Sequence, residues 1–240
     1  RRDALVTAGK VGITGAAVAA GLQSLGMSPA MAERAAAGGL PKKSYKFVFV
    51  NHVTTNPFFT PTQYGIQDAC AALGCSYQWT GSQNAIVSEM VSAMQTAIAS
   101  KADGIAVCLV DAKAFNKPTA DAVAAGIPVI GYNADTPNNK RLSYVGQSLY
   151  QSGYNIAKKW IPMVKKGSHV MLSIATPGSL NLQPRLDGYI QAIKDSGNPV
   201  TYETLNTGAQ ASDELSRIES YYLSHKNVAG LFGTGATDTE

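Results

Sequence analysis

The strongest constraint on the fold of this chain is the regular alternation of short apolar runs with amphipathic stretches from residue 45 onwards. Residues 45–51 contain a continuous apolar run, which is typical of a strand buried on both faces. Residues 84–100 repeat an apolar side chain at every fourth position from Ile86 to Ile98, as one face of a helix does. Strands that alternate with helices in this way predict parallel sheets wrapped by helices and joined by right-handed crossovers.

The alternation runs twice along the chain. The first run predicts strands at 45–51, 75–80, 104–109, 127–131 and 142–145, with helices at 61–74, 84–100 and 111–125. The second run predicts helices at 148–164, at 181–195 and after a Ser212 cap, with strands at 169–175, 200–205 and 228–232. Two runs predict two α/β lobes, 45–146 and 147–240. We expect the second lobe to be truncated, because doubly wound sheets usually have five or six strands.

The first 32 residues differ in character from the rest of the chain. They begin with Arg1-Arg2, continue with a stretch dominated by Ala, Gly, Val and Leu, and end in the small-x-small pattern Ala30-Met31-Ala32. This organisation predicts a cleaved export signal, and the arginine pair favours the twin-arginine type. A membrane anchor is the alternative, but a segment so rich in Gly and Ala would insert weakly. Residues 33–44 are predicted to be a flexible leader.

Charge and cysteine content exclude several classes of function. The formal net charge is +4, of which residues 1–32 contribute +2, and no basic run argues for nucleic acid. The three cysteines form no CxxC or His-Cys cluster, so no metal site is predicted. Export would permit a Cys70–Cys75 disulfide, which the spacing neither requires nor excludes. Cys108 lies in an apolar run and is predicted to be a buried small hydrophobe.

Polar and aromatic side chains follow the predicted strands at their carboxyl ends, where open α/β folds bind ligands. The candidate ligand-binding residues are Asn56, Phe58, Phe59, Asp111, Asn133, Asp135, Asn181, Gln183 and Arg185. Amides, acids and one Arg can pair with hydroxyl groups, which both donate and accept hydrogen bonds. The C–H face of a pyranose can lie on an aromatic ring. The set therefore predicts a neutral polyhydroxyl ligand.

Several of these residues also have a purely structural interpretation. The two phenylalanines either form a platform for a ligand or pack beneath the following helix. Asp111 could be only an N-cap, and Asn133 only a turn residue. Arg185 lies at a predicted helix start, where a cation is unfavourable, so we expect a carboxylate such as Asp187 or a ligand to compensate.

The motifs at the strand ends resemble those of one known family. Asn56-Pro57-Phe58-Phe59, the segment Gly126–Ile130 and Asn133 resemble the type I periplasmic binding proteins, the ribose-binding-like sugar receptors of ABC importers. Residues 146–153 are similar to that family's crossover into the second lobe, and residues 183–189 to its Arg-rich helix start. The resemblance covers residues 45–240.

The resemblance implies a fold and a function. It implies two lobes, each a parallel sheet flanked by helices, that close on a sugar or polyol and deliver it to an ABC permease. It further implies a periplasmic monomer without cofactor or enzymatic activity. Phe58 and Phe59 match the family's ring-stacking pair, and Asn56 the polar residue before it.

Four positions depart from the ribose-type pattern of that family. Asn133 stands where ribose-type members have Asp, Ala134 and Gln183 where they have Arg, and Gly235 where they have Asn. These departures imply a sugar or polyol other than ribose.

Three other classes of function make different demands on the sequence. A receptor of the same fold for a non-sugar signal molecule is the main alternative. A LacI-type regulator would need a helix-turn-helix before residue 45, where the export-like segment lies. A nucleotide-binding enzyme would need glycines after the first strand, and residues 53–57 have none. His52, His169 and His225 are paired by no motif with a nucleophile or carboxylate, so we expect structural or solvated roles for them.

Overall fold

A computed structural model describes residues 44–236 and 238 of the chain. The chain divides into two compact units, one of residues 1–45 and 68–75 and the other of residues 46–67 and 76–240. The predicted export signal, and the predicted leader up to residue 43, lie outside the described residues. Both sheets described below belong to the second unit.

The first sheet has five strands, and three helices accompany it. The strands are β1 (Lys46–Asn51), β2 (Ser76–Gly81), β3 (Gly104–Val107), β4 (Val129–Tyr132) and β5 (Ser143–Val145). The helices are α1 (Thr60–Leu73), α2 (Val87–Ala99) and α3 (Asn116–Ala124), and a 3₁₀ turn, Pro57–Phe59, precedes α1. The strand order is β2-β1-β3-β4-β5, and every neighbouring pair is parallel.

The second sheet has three strands in the described part of the chain. They are β6 (His169–Ile174), β7 (Thr201–Asn206) and β8 (Val228–Gly233), in the order β7-β6-β8 and again all parallel. Helices α4 (Leu149–Trp160), α5 (Gln183–Asp195) and α6 (Ala211–Ser224) accompany this sheet. The prediction of an α/β fold with parallel sheets flanked by helices is confirmed.

Each sheet has its own hydrophobic core. In β1 and β3, Val48, Val50 and Val107 are at most 1% exposed, as the continuous apolar runs predicted. In β6, Val170 and Leu172 are completely buried beneath α4 and α5. Among the described helices, none combines the length and hydrophobicity needed to cross a membrane.

Two predicted helix starts are wrong. Asp111 does not cap α3, which begins five residues later at Asn116. Its carboxylate instead accepts hydrogen bonds from the backbone N–H groups of Lys113 and Ala114, at 2.8 and 2.7 Å, and so holds a separate turn. Ser212 does not cap α6, because that helix already begins at Ala211.

Two glycines set the distance between α4 and α5. A Cβ atom on Gly153 would lie 2.1 Å from the carbonyl oxygen of Arg185, and one on Gly188 would lie 2.3 Å from that of Tyr150. Both distances are far below van der Waals contact with backbone that cannot move by itself. The sequence therefore brings the two helix backbones into direct contact, which fixes where α5 places its first turn.

We expect Gly188→Ala to lower the free energy of unfolding by about 3 kcal/mol, because the added methyl group forces α4 and α5 apart. Gly65→Ala in α1 is the matched control. A Cβ there meets nothing within 4 Å, so this change should stabilise the chain by about 0.5–1 kcal/mol. Urea unfolding of both variants tests the prediction, and equal effects of the two changes would contradict it.

Candidate ligand-binding cavity

The second unit contains a cavity at the carboxyl ends of both sheets. Its lining comes from the segments that follow β1, β2, β4, β5, β6, β7 and β8. It is a cleft that is partly open to solvent. Parallel pairing places the carboxyl ends of all strands of a sheet at one edge, which is why loops distant in sequence meet here.

The structure brings six of the nine predicted site residues to this cavity. They are Asn56, Phe58, Phe59, Asn133, Asn181 and Arg185. The sequence missed two buried residues that also line it, His52 and Glu214.

Phe58 and Phe59 occupy different environments. Phe58 is 52% exposed, whereas Phe59 is 2% exposed and belongs to the core. Their rings meet edge to face with centroids 5.0 Å apart, and Phe59 also contacts the rings of His52 and Trp79. Phe59 is therefore a core residue that supports Phe58, and Phe58 presents its ring to the cavity, where its role as a ligand platform stays a prediction.

Asn56 fixes the turn that presents this aromatic pair. Its side-chain oxygen accepts a hydrogen bond of 2.9 Å from the backbone N–H of Phe58 and caps the 3₁₀ turn, with Pro57 at the first position. Pro is favourable there because it has no N–H to leave unpaired. The Asn-Pro-Phe-Phe sequence therefore forms a capped turn that holds Phe58 at the cavity.

Three predicted site residues do not line the cavity, because their side chains bind elsewhere. The Asp111 carboxylate caps its own turn, and the N–H groups of Ala114 and Lys113 lower its pKa. Asp135 pairs with Arg141 and accepts from the N–H of Thr136. Gln183 accepts a hydrogen bond from the N–H of Gly178 and donates one to Asp187.

His52 follows β1 directly and lines the cavity while only 6% exposed. Its Nε2 atom lies 3.0 Å from Nδ2 of Asn181. Because an amide nitrogen can only donate, Nε2 accepts this bond and the proton of the neutral ring is on Nδ1. Burial lowers the pKa of His52 to about 4. Its place immediately after the first strand was the signal in the sequence that could have identified it.

Asn133 has a backbone conformation that few residues adopt. It follows β4 with φ of +63°, in the left-handed region, which Asn tolerates better than most residues. Its backbone carbonyl accepts a hydrogen bond of 3.0 Å from the hydroxyl of Tyr144. Asn133 is therefore a turn residue whose side chain also reaches the cavity.

Arg185 lies in the first turn of α5, where the helix dipole disfavours a cation. One of its terminal nitrogens donates a 2.6 Å hydrogen bond to the backbone carbonyl of Thr234. Burial is the main cause that lowers the pKa of the guanidinium, and the nearby Asp238 carboxylate opposes this effect. Asp187, the compensating carboxylate that we expected, accepts from Gln183 instead.

Three buried polar atoms of cavity residues have no hydrogen-bond partner among the described residues. They are Nδ1 of His52, the side-chain oxygen of Asn133 and Nε of Arg185. Leaving such an atom unpaired costs about 1–3 kcal/mol. Two can donate and one can accept, so together they match the hydrogen-bonding capacity of hydroxyl groups.

One acidic residue, Glu214, lines the cavity, and a second, Asp238, bonds to the lining residue Gly235. Glu214, in the first turn of α6, is 1% exposed, and the helix dipole favours a carboxylate at that position. Asp238 accepts hydrogen bonds from the Thr207 hydroxyl at 3.0 Å and the Gly235 N–H at 2.6 Å. Glu214 was missed because an acidic residue at a helix start is commonly explained by the dipole alone.

Loops of the two sheets also bond directly to each other around the cavity. One such bond joins His52 and Asn181, as described above. In another, the backbone N–H of Leu180 donates to the carbonyl of Val110 at 2.8 Å. The side-chain amide of Gln210 donates to the carbonyl of Gln83 and to the side chain of Asn84, at 2.9 Å in each case. These bonds hold the two sheets together across the cavity.

Among residues 44–236 and 238, no group of three or more His, Cys, Asp or Glu side chains could hold a metal ion. Cys70, Cys75 and Cys108 are all free thiols.

We expect the free energy of unfolding to fall by up to about 3 kcal/mol as the pH drops from 6.5 towards 4, because His52 stays neutral when folded but takes up a proton when unfolded. Above pH 6.5 both states are neutral and the contribution vanishes. His52→Gln should remove this share of the pH dependence, whereas His225→Gln, at an exposed position, should keep it. Identical pH profiles for the wild type and His52→Gln would contradict the prediction.

Comparison with known proteins identifies the family. A family model described as a periplasmic binding protein domain matches residues 47–240. The xylose/arabinose-binding protein XylF of Sulfolobus acidocaldarius is 50% identical, over 82% of this chain and 51% of the relative. The chain thus spans about half the length of that curated relative.

Solved structures share the fold. The XylFII molecule superposes with a TM-score of 0.78 at 22% identity, over 82% of this chain and 72% of that one. A solute-binding protein of an ABC transporter from Burkholderia graminis, in complex with D-arabinose, superposes with a TM-score of 0.77 at 25% identity, over 83% and 68% of the two chains. The family model matches nearly all described residues, and the parallel sheets and the position of the cavity agree with it. The chain therefore belongs to the periplasmic binding protein family.

Proposed function

We propose that this chain is the sugar-binding part of an extracytoplasmic solute-binding protein that captures an aldopentose for an ABC-type importer. One observation carries the proposal: an exposed aromatic ring, Phe58, and three unpaired buried polar atoms meet at one cavity. The ring of Phe58 offers an apolar face, and the three unpaired atoms offer two donors and one acceptor beside it. This arrangement suits a sugar ring, which has C–H bonds on one face and hydroxyl groups around its edge.

The physical gain on binding has two parts. The C–H face of the sugar covers Phe58, which removes apolar surface of both partners from water. Hydroxyl groups can pair with Nδ1 of His52, Nε of Arg185 and the side-chain oxygen of Asn133, and so relieve the cost of three unpaired buried groups. Because these groups are already held by the fold, little of the gain is lost to ordering them.

The choice of an aldopentose is supported by the relatives. The relative that is 50% identical is a xylose/arabinose-binding protein, and the Burkholderia graminis protein is in complex with D-arabinose. Ribose is disfavoured by the four departures from the ribose-type pattern. Ala134 is completely buried, and Gln183 is bonded to Gly178 and Asp187, so neither reaches the ligand as an Arg would.

The remaining parts of the proposal concern the whole protein. Residues 1–32 would direct export through the twin-arginine route, and residues 33–44 would link them to the folded part. Residues 45–146 and 147–240 would form two lobes that close on the sugar. A monomer in this closed form would dock on the permease, with no role for nucleic acid.

We expect D-xylose or D-arabinose to bind at least tenfold more tightly than D-ribose or myo-inositol, because residues 133, 134, 183 and 235 depart from the ribose-type pattern. Isothermal titration calorimetry on the 240-residue chain measures this directly. Preferential binding of ribose, or an absence of heat with every pentose from a chain that unfolds cooperatively, would contradict the proposal.

Phe58→Ala should weaken binding of the preferred pentose at least tenfold, a loss of about 1.4 kcal/mol, while leaving the unfolding midpoint nearly unchanged. The control is Tyr64→Ala, which removes an aromatic ring that is 61% exposed and lies outside the cavity, and should keep the affinity.

Phe59→Ala completes the test, since removing a buried Phe should cost about 3–5 kcal/mol of stability. If Phe58→Ala lowers stability as much as Phe59→Ala and keeps the affinity, then Phe58 is a core residue and the platform interpretation is wrong.

A further inference from the structure

The C-terminal end of α1 brings two cysteines together. Gly74 follows the helix with φ of +69°, and the backbone N–H of Cys75 donates to the carbonyl of Cys70 at 3.1 Å. A bond of this span across a left-handed glycine is the Schellman motif, in which the side chains of its first and sixth residues meet. The first and sixth residues here are Cys70 and Cys75. The backbone, rather than the spacing alone, therefore makes them neighbours.

The two thiols interact and differ in exposure. Both are free, Cys70 is buried and Cys75 is partly exposed. Burial raises the pKa of the Cys70 thiol to about 11, with further contributions from a hydrogen bond to the Cys75 side chain and from the charge of its thiolate. Cys75 is consequently the thiol that an oxidant from solution reaches first. Cys70 is buried next to it and can react only in a second step.

We propose that Cys70 and Cys75 form a reversible intramolecular disulfide that closes the last turn of α1, with a small-molecule or protein disulfide as the oxidant. The site is distinct from the cavity, and the inference does not rest on the proposed function.

The reaction is a thiol–disulfide exchange in two steps. The Cys75 thiol loses its proton to solvent, and its thiolate attacks one sulfur of the oxidant to form a mixed disulfide. The S–S bond of the oxidant breaks, and its other sulfur leaves as a thiolate that takes up a proton from solvent. The Cys70 thiol then loses its proton to solvent, its thiolate attacks the Cys75 sulfur, and the second thiol leaves. Two protein thiols are thereby oxidised by two electrons, and the oxidant disulfide is reduced to two thiols.

The first step prepares the second. Once Cys75 is part of a mixed disulfide, it carries no thiolate charge. One of the causes that raise the pKa of Cys70 is then removed, while the cost of burial remains. Loss of that charge lowers the pKa of Cys70 and so favours its thiolate, which is the form that attacks the mixed disulfide.

Cys108 provides an internal control. It is completely buried, burial raises its pKa to about 12, and its sulfur accepts a hydrogen bond of 3.6 Å from the Asn51 amide. It has neither the exposure nor the thiolate character that exchange requires.

The test is to equilibrate the full chain with mixtures of oxidised and reduced glutathione, trap free thiols with a maleimide and analyse the peptides by mass spectrometry. We expect the peptide containing both Cys70 and Cys75 to lose two hydrogen masses and both alkylation sites, while Cys108 stays alkylated after unfolding. Cys70→Ser should trap glutathione on Cys75, and Cys75→Ser should bind none. The oxidised chain should unfold about 4–8 °C above the reduced one.

A persistent glutathione adduct on Cys75 of the wild type, or disulfide-linked dimers in place of the internal bond, would overturn the inference. Oxidation of Cys108 at the same rate as the pair would also overturn it, because it would show that the geometry at the end of α1 confers no selectivity. Sugar binding plays no part in these measurements. A negative result here therefore contradicts the disulfide inference and leaves the proposed function untouched.

Discussion

Parallel pairing of the strands is the constraint on which the rest of this structure depends. Every pair in both sheets is parallel, so each strand must be followed by a crossover, and all chain segments leaving a sheet do so at the same edge. The loops that follow β1, β4, β6 and β8 thereby meet, although they are far apart in sequence. The cavity is lined by loops from these edges of both sheets.

The cavity combines rigid support with unsatisfied groups. Phe59 and Asn56 fix Phe58 from the core side and from the turn, while the glycine contact between α4 and α5 positions the first turn that carries Arg185. The same rigidity leaves polar atoms of His52, Asn133 and Arg185 buried without partners. Packing elsewhere offsets their cost, and a bound polyhydroxyl ring would remove it. The same unpaired atoms thus lower the stability of the unliganded chain and provide the hydrogen bonds for a ligand.

Local sequence patterns predicted the elements well, because apolar runs and four-residue periodicity depend on burial within each element. They also predicted the Asn-Pro-Phe-Phe turn and Arg185 as cavity residues. They did not show which side chains bond to nearby groups and which face the cavity. Asp111, Asp135 and Gln183 each satisfy nearby groups instead of the cavity, and only the three-dimensional structure shows that choice. His52 was missed because its side chain bonds to Asn181, which lies 129 residues away in the sequence, and Glu214 because the helix dipole alone explains a carboxylate at its position.

The most direct test of the central claim is a crystal structure of the chain with the pentose that binds it most tightly. The account predicts one sugar ring lying against the face of Phe58, with hydroxyl groups within hydrogen-bond distance of Nε of Arg185 and the side-chain oxygen of Asn133. A sugar bound at another place, or one in the cavity that touches neither Phe58 nor these two atoms, would contradict it.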